Sequence, residues 1–181
     1  MKTQFCSVLL LALLSACTKE VIDPPANDTQ FVQSSTDATH KPKPPTTMAD
    51  IESNIYNIRA FGSQTWMMEN LRTSHYCDET PIKAAKEDST GIFYSYYTLS
   101  VDKLCPDGWH VPEDWEWQVL CHYMDHAGID PAVIGTGFWW SATGYDSSEG
   151  WVWYKDAQNS LIYKYVENKS EYRSVRCVKN D

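Results

Sequence analysis

Thiols are the groups best able to do chemistry in this 181-residue chain, which carries six of them. A thiolate is a nucleophile, a metal ligand and a disulfide partner, and its neighbours in sequence decide which. Cys77, Cys105, Cys121 and Cys177 show no C-x2-C spacing, and no H-x3-H spacing is read to complement them, so a zinc site is not expected. They are even in number, and four cysteines allow three pairings among which spacing does not choose. His110, between Trp109 and Val111, and the pair Glu69-Asn70 read as buried, hydrogen-bonded structural groups in preference to catalytic ones. Glu113, Asp114 and Glu116 open a helix, where carboxylates cap free N–H groups and complement the dipole. Asp146, Glu149 and Asp156 are calcium ligands by type, but they lack EF-hand spacing. Neither a metal nor another cofactor is expected. Trp139, Trp140, Tyr145, Trp151, Trp153 and Tyr154 are the strongest binding signal, because aromatic faces stack on sugar rings and anchor protein interfaces. Strands alternate, however, so about half of these rings must point into a core.

Cys17 stands apart from the other thiols. Leu14-Ser15-Ala16-Cys17 matches a lipobox, in which small residues lie extended in a peptidase cleft and the cysteine sulfur receives a diacylglyceryl group. Lys2 gives the positive start, and Val8 to Leu14 is an apolar run far short of the roughly 20 residues that span a bilayer. Residues 1–16 are therefore expected to be a lipoprotein signal peptide and Cys17 the lipidation site. The partner this implies is the membrane, reached through acyl chains that contribute about 0.8 kcal/mol per buried CH2. The location it implies is the cell envelope, as an outer-membrane lipoprotein.

The elements that must position the remaining groups begin after a tether. Residues 17–50 are rich in Pro, Thr, Ser and Asp, with Asp23-Pro24-Pro25 and Lys41-Pro42-Lys43-Pro44-Pro45, and have too little apolar surface to offset the entropy of ordering them. Residues 51–181 are the expected folded domain, and all eight Trp lie there. Without Lys2 the chain holds 14 Lys+Arg against 24 Asp+Glu, a net charge of −10, which argues against nucleic acid as a partner. Ile55–Arg59 and Thr65–Met68 read as a hairpin with Gly62 in its turn. Residues 73–90 read as irregular, and residues 94–103 as a short first helix. Pro112-Glu113-Asp114 opens a second helix. Its Trp117, Leu120, Cys121 and Met124 fall on one stripe, and Gly128 ends it. Residues 137–142, 150–155, 160–166 and 172–178 read as strands of a meander, so the fold class is α+β.

Four motifs resemble a known family. They are Gln64-Thr65-Trp66-Met67-Met68-Glu69-Asn70-Leu71, Cys105-Pro106-Asp107-Gly108-Trp109-His110-Val111-Pro112 followed by Glu116-Trp117, Trp140-Ser141-Ala142-Thr143, and Ser174-Val175-Arg176-Cys177-Val178-Lys179. In that order they resemble the Fibrobacter succinogenes major paralogous domain, found in lipoproteins and surface proteins of gut-type anaerobes. The resemblance spans residues 55–179 and implies a C-type-lectin-like fold. It implies a disulfide between Cys105 and Cys177, which occupy the two positions of that fold's long-range bridge. Cys77 lacks the local partner that relatives carry, which leaves Cys77 and Cys121 either to pair by elimination or to stay as reduced thiols. The resemblance also implies a non-catalytic binding module whose ligand is a glycan or a protein. A structural or assembly subunit of a surface filament is the first alternative. An enzyme of the formylglycine-generating type, whose helix-opening segment is similar to residues 111–118, is the second, and it lacks paired reactive cysteines.

Overall fold

The computed structural model describes residues 4–5, 46–99, 103–158 and 161–180. The described residues belong to one compact unit. Cys17 and the tether up to Pro45 lie outside the described residues.

The described fold is predominantly β, in three small antiparallel sheets with one α-helix. This corrects the α+β, C-type-lectin-like expectation of two helices. One sheet is ordered β11 (Val178–Asn180), β4 (Gln64–Met67), β3 (Ile55–Phe61), β2 (Thr47–Ala49). A second is ordered β10 (Tyr172–Arg173), β6 (Gly91–Ser95), β5 (Ala85–Asp88). The third is ordered β1 (Gln4–Phe5), β9 (Tyr163–Asn168), β8 (Glu149–Lys155), β7 (Gly137–Gly144).

The hairpin β3–β4 turns at Gly62, whose φ of 66° suits a residue without a Cβ. The described sheet reaches back before the expected boundary at residue 51, because β2 pairs with β3 and the Asp50 carboxylate accepts from the Tyr56 hydroxyl at 2.5 Å. The expected first helix is absent among the described residues. Tyr94 and Ser95 end β6, and a single 3-10 turn follows at Tyr96–Thr98. The backbone groups a helix would use are spent elsewhere. Ser95 N–H donates to the Ala84 carbonyl at 3.0 Å, and the Tyr94 carbonyl accepts from Trp140 Nε1 at 2.8 Å. Aromatic and β-branched residues at 93–98 suit that pleated environment better than a helix.

The α-helix, α1, runs Asp114–His126. The Glu116 carboxylate accepts from Glu113 N–H at 2.9 Å at its start, and Gly128 (φ 63°) leads the chain out at its end. Trp117, Leu120, Cys121 and Met124 are its buried stripe.

The core has two clusters that sandwich the meander. Trp139 and Trp153 face α1, together with Phe61, Trp66 and Ile134. Trp140 and Val152, one residue along, face a cluster built on Tyr56, Leu71 and Tyr94. Gly150 lets the Tyr96 ring lie on the strand, since a Cβ there would stand 2.6 Å from it.

The expected last strand, 172–178, is two strands and a crossing. β10 pairs with β6 and β11 with β4. Between them Ser174 bridges Trp139 in parallel, the Val175 carbonyl accepts from Leu71 N–H at 2.8 Å, and the Cys177 carbonyl accepts from Met67 N–H at 3.0 Å. Nine residues thus touch all three sheets. The Cys105–Cys177 disulfide, with Cα atoms 6.0 Å apart, ties the loop before α1 to this segment.

Candidate functional site

The structure divides the six aromatic candidates by strand register. Trp139, Trp140 and Trp153 are 0 %, 0 % and 2 % exposed, so they are core rather than binding surface. Each spends its indole N–H internally: Trp139 on Asn70 Oδ1 (2.8 Å), Trp140 on the Tyr94 carbonyl and Trp153 on Asp114 Oδ1 (3.1 Å). Trp117 lies at the centre of the first group, its ring 4.7 Å from Trp66, 5.7 Å from Trp139 and 5.9 Å from Trp153.

Tyr145, Trp151 and Tyr154 reach the surface, on two different faces. Tyr145 meets Trp151 edge-on at 5.2 Å, beside Lys164, which lies 4.4 Å over the Trp151 ring and pairs with Asp114 at 2.8 Å. Tyr154 belongs to a row that the sequence reading did not assemble. Register sets Phe138 opposite Tyr154 and Tyr154 opposite Tyr163. Their rings stack across three strands, with centroids 5.4 and 5.2 Å apart, and Tyr165 sits edge-on to Tyr154 at 5.7 Å. Phe138 is 49 % exposed and the three tyrosines half-buried. The Arg173–Glu167 ion pair flanks the row, with the Tyr165 hydroxyl donating to Glu167 and Arg173 5.8 Å over Phe138. Burial raises the Tyr165 phenol above its ordinary range. The Tyr154 hydroxyl makes no hydrogen bond among the described residues. The signal for this row was the period-2 placing of Tyr163 and Tyr165, with single rings Phe138 and Tyr154 on the neighbouring strands. Only strand register turns that pattern into one surface.

The polar residues of the motifs are braces. Asn70 joins two of those motifs and Trp139, the residue before a third: its Nδ2 donates to Ser174 Oγ at 3.1 Å, and its Oδ1 accepts from Trp139 Nε1 and from Arg176 at 3.2 Å. Arg176 is buried and lies 4.8 Å over the Trp139 ring. Desolvation pulls its pKa down to about 10, partly opposed by the charge of Glu69. Glu69 accepts from Asn57 N–H and Nδ2 at 2.8 and 2.7 Å. His110 Nε2 meets the buried Glu116 carboxylate at 2.8 Å, and Glu116 also accepts from Asn180 at 2.9 Å.

A cavity of about 600 Å³ lies beside this pair, lined by Cys77, Cys105, Asp107, Trp109, His110 and Glu113. No hydrogen bond joins Cys77 to His110 among the described residues, so the cavity holds no assembled thiol–imidazole pair. Cys77 and Cys121 are not bridged to each other, which corrects the pairing by elimination. Cys121 belongs to the cluster under α1, whereas the Cys77 N–H donates to the Lys103 carbonyl at 2.9 Å, in the chain that leads to Cys105. The Asp146 carboxylate serves its own turn, accepting from Ser148 and Glu149 N–H groups at 2.7 and 2.8 Å, and those bonds lower its pKa. Among the described residues no three His, Cys, Asp or Glu side chains gather around a metal position.

Residues 60–133, from the hairpin to the turn after α1, match the family model of the Fibrobacter succinogenes major domain. No curated protein and no solved structure matches the chain. The aromatic row lies beyond the matched span, on the meander.

Proposed function

The chain carries a Fibrobacter succinogenes major domain, and from that premise we propose that it is a lipid-anchored, non-catalytic envelope protein that binds a glycan chain on the meander. The observation that supports the ligand is the row of Phe138, Tyr154, Tyr163 and Tyr165 beside Arg173 and Glu167. It offers what a sugar polymer needs: apolar ring surface for C–H faces, and hydroxyl, guanidinium and carboxylate groups for hydroxyls. Rings repeated at strand spacing suit an extended ligand better than a compact one. In a glycan-array screen followed by affinity electrophoresis, the Phe138→Ala/Tyr154→Ala variant should bind about ten- to a hundredfold more weakly, at about 0.5–1.5 kcal/mol per ring contact. Its circular dichroism should match wild type. Undiminished binding by that variant overturns the site, and no binding to any glycan by wild type overturns the ligand.

The anchor rests on Leu14-Ser15-Ala16-Cys17. Cys17→Ala should give an uncleaved, unacylated chain by intact-mass measurement. A membrane-bound wild type without acyl mass overturns the anchor.

One observation favours a second reading, an assembly subunit. The outer edge of β9 is paired by Gln4 and Phe5 at Lys164 and Tyr163 alone, and both partners lie in the expected signal peptide. An edge left open after processing accepts a strand from another chain. Light scattering of the mature protein separates the readings: a monomer at micromolar concentration argues against assembly.

A further inference from the structure

α1 carries His122-Tyr123-Met124-Asp125-His126, two histidines four residues apart. Residues i and i+4 of a helix stand one above the other on one face. The rings do stand so, with centroids 6.4 Å apart and planes 14° from parallel. The helix buries Trp117, Leu120, Cys121 and Met124, and both imidazoles lie in solvent on another face. No hydrogen bond holds either ring among the described residues, so their nitrogen lone pairs are uncommitted.

Imidazoles at this spacing bring two nitrogens onto one metal ion at about 2.0–2.1 Å each. The surroundings favour a cation. His126 is the last residue of α1, where free carbonyls carry partial negative charge. Asp125 stands between the two histidines, and the chain as a whole carries −9. With only two side-chain donors, the rest of the coordination shell is left to water or to a group from another molecule. Such a site exchanges its metal and does not build the fold. We propose that His122 and His126 chelate a divalent transition-metal ion, copper(II) most tightly, with nickel and zinc behind it in the usual order for nitrogen donors.

The test uses the full chain in detergent with Cys77→Ser, so that the half-buried thiol neither binds nor reduces copper. Titration with Cu2+ should give one site whose electron paramagnetic resonance spectrum shows two equatorial nitrogens. His122→Ala and His126→Ala should each weaken binding at least tenfold, and the double variant little more, because one imidazole alone does not chelate. His75→Ala should leave affinity unchanged. Since both rings are exposed, circular dichroism should not move in any variant. A wild-type affinity in both single variants, a one-nitrogen spectrum, or loss of binding in His75→Ala overturns the proposal.

Discussion

Trp117→Ala should destabilise the domain by about 3–5 kcal/mol, the range for emptying a large aromatic site in a core that collapses only in part. Trp117 is 0 % exposed and is the ring that Trp66, Trp139 and Trp153 share. It therefore joins the hairpin and the meander through the helix. Its indole N–H has no partner among the described residues, so the substitution strands no acceptor and the loss is one of packing. The measurement is the urea midpoint followed by far-ultraviolet circular dichroism. Trp115→Ala is the control on the same helix. That ring is 50 % exposed, and its loss should cost less than about 1 kcal/mol. Equal effects of the two substitutions would mean that α1 does not pack on the face described.

The second large effect belongs to the covalent bridge. Cys105 and Cys177 are 72 residues apart, and loop-closure entropy for that length gives about 4 kcal/mol. Replacing both by Ala should lower stability by about that amount with little change in the folded state, because the side chains lost are small. The signature lies in the unfolded chain: without the link it exposes more surface, so the urea m-value should rise. A loss under 1 kcal/mol with an unchanged m-value would show that the link does little to restrict the unfolded ensemble.

The legible parts of the fold were those written in local chemistry. The hairpin was marked by Gly62 between two β-rich runs. The helix α1 was marked by its acidic opening, its four-residue stripe and Gly128. The failures lay where distant partners decide. Residues 94–103 have a passable helical spacing, but Tyr94 and Ser95 are claimed by Trp140 and Ala84, which no local pattern announces. The aromatic cluster shows the same limit. Alternation said that half of the rings would be buried, yet Trp139 and Trp140 are neighbours and both are buried, because the meander has a core cluster on each side. Near Phe138 and Tyr154 that cover ends, and the surface row begins. Its charged flank, Arg173 and Glu167, sits on consecutive strands that one short turn sends into different sheets. The histidine pair on α1 needed no structure, since its spacing is plain in the sequence. The expectation that no H-x3-H spacing occurs was an error, for His122 and His126 are that spacing.

The crossing at residues 172–180 bears on how the domain comes apart. One short segment bonds to β6, β7 and β4, and it carries the cysteine that closes the covalent ring. Until it is in place, the three sheets lack their common join. A chain without these nine residues loses the tie between all its layers at once, and it meets a protease as an open substrate.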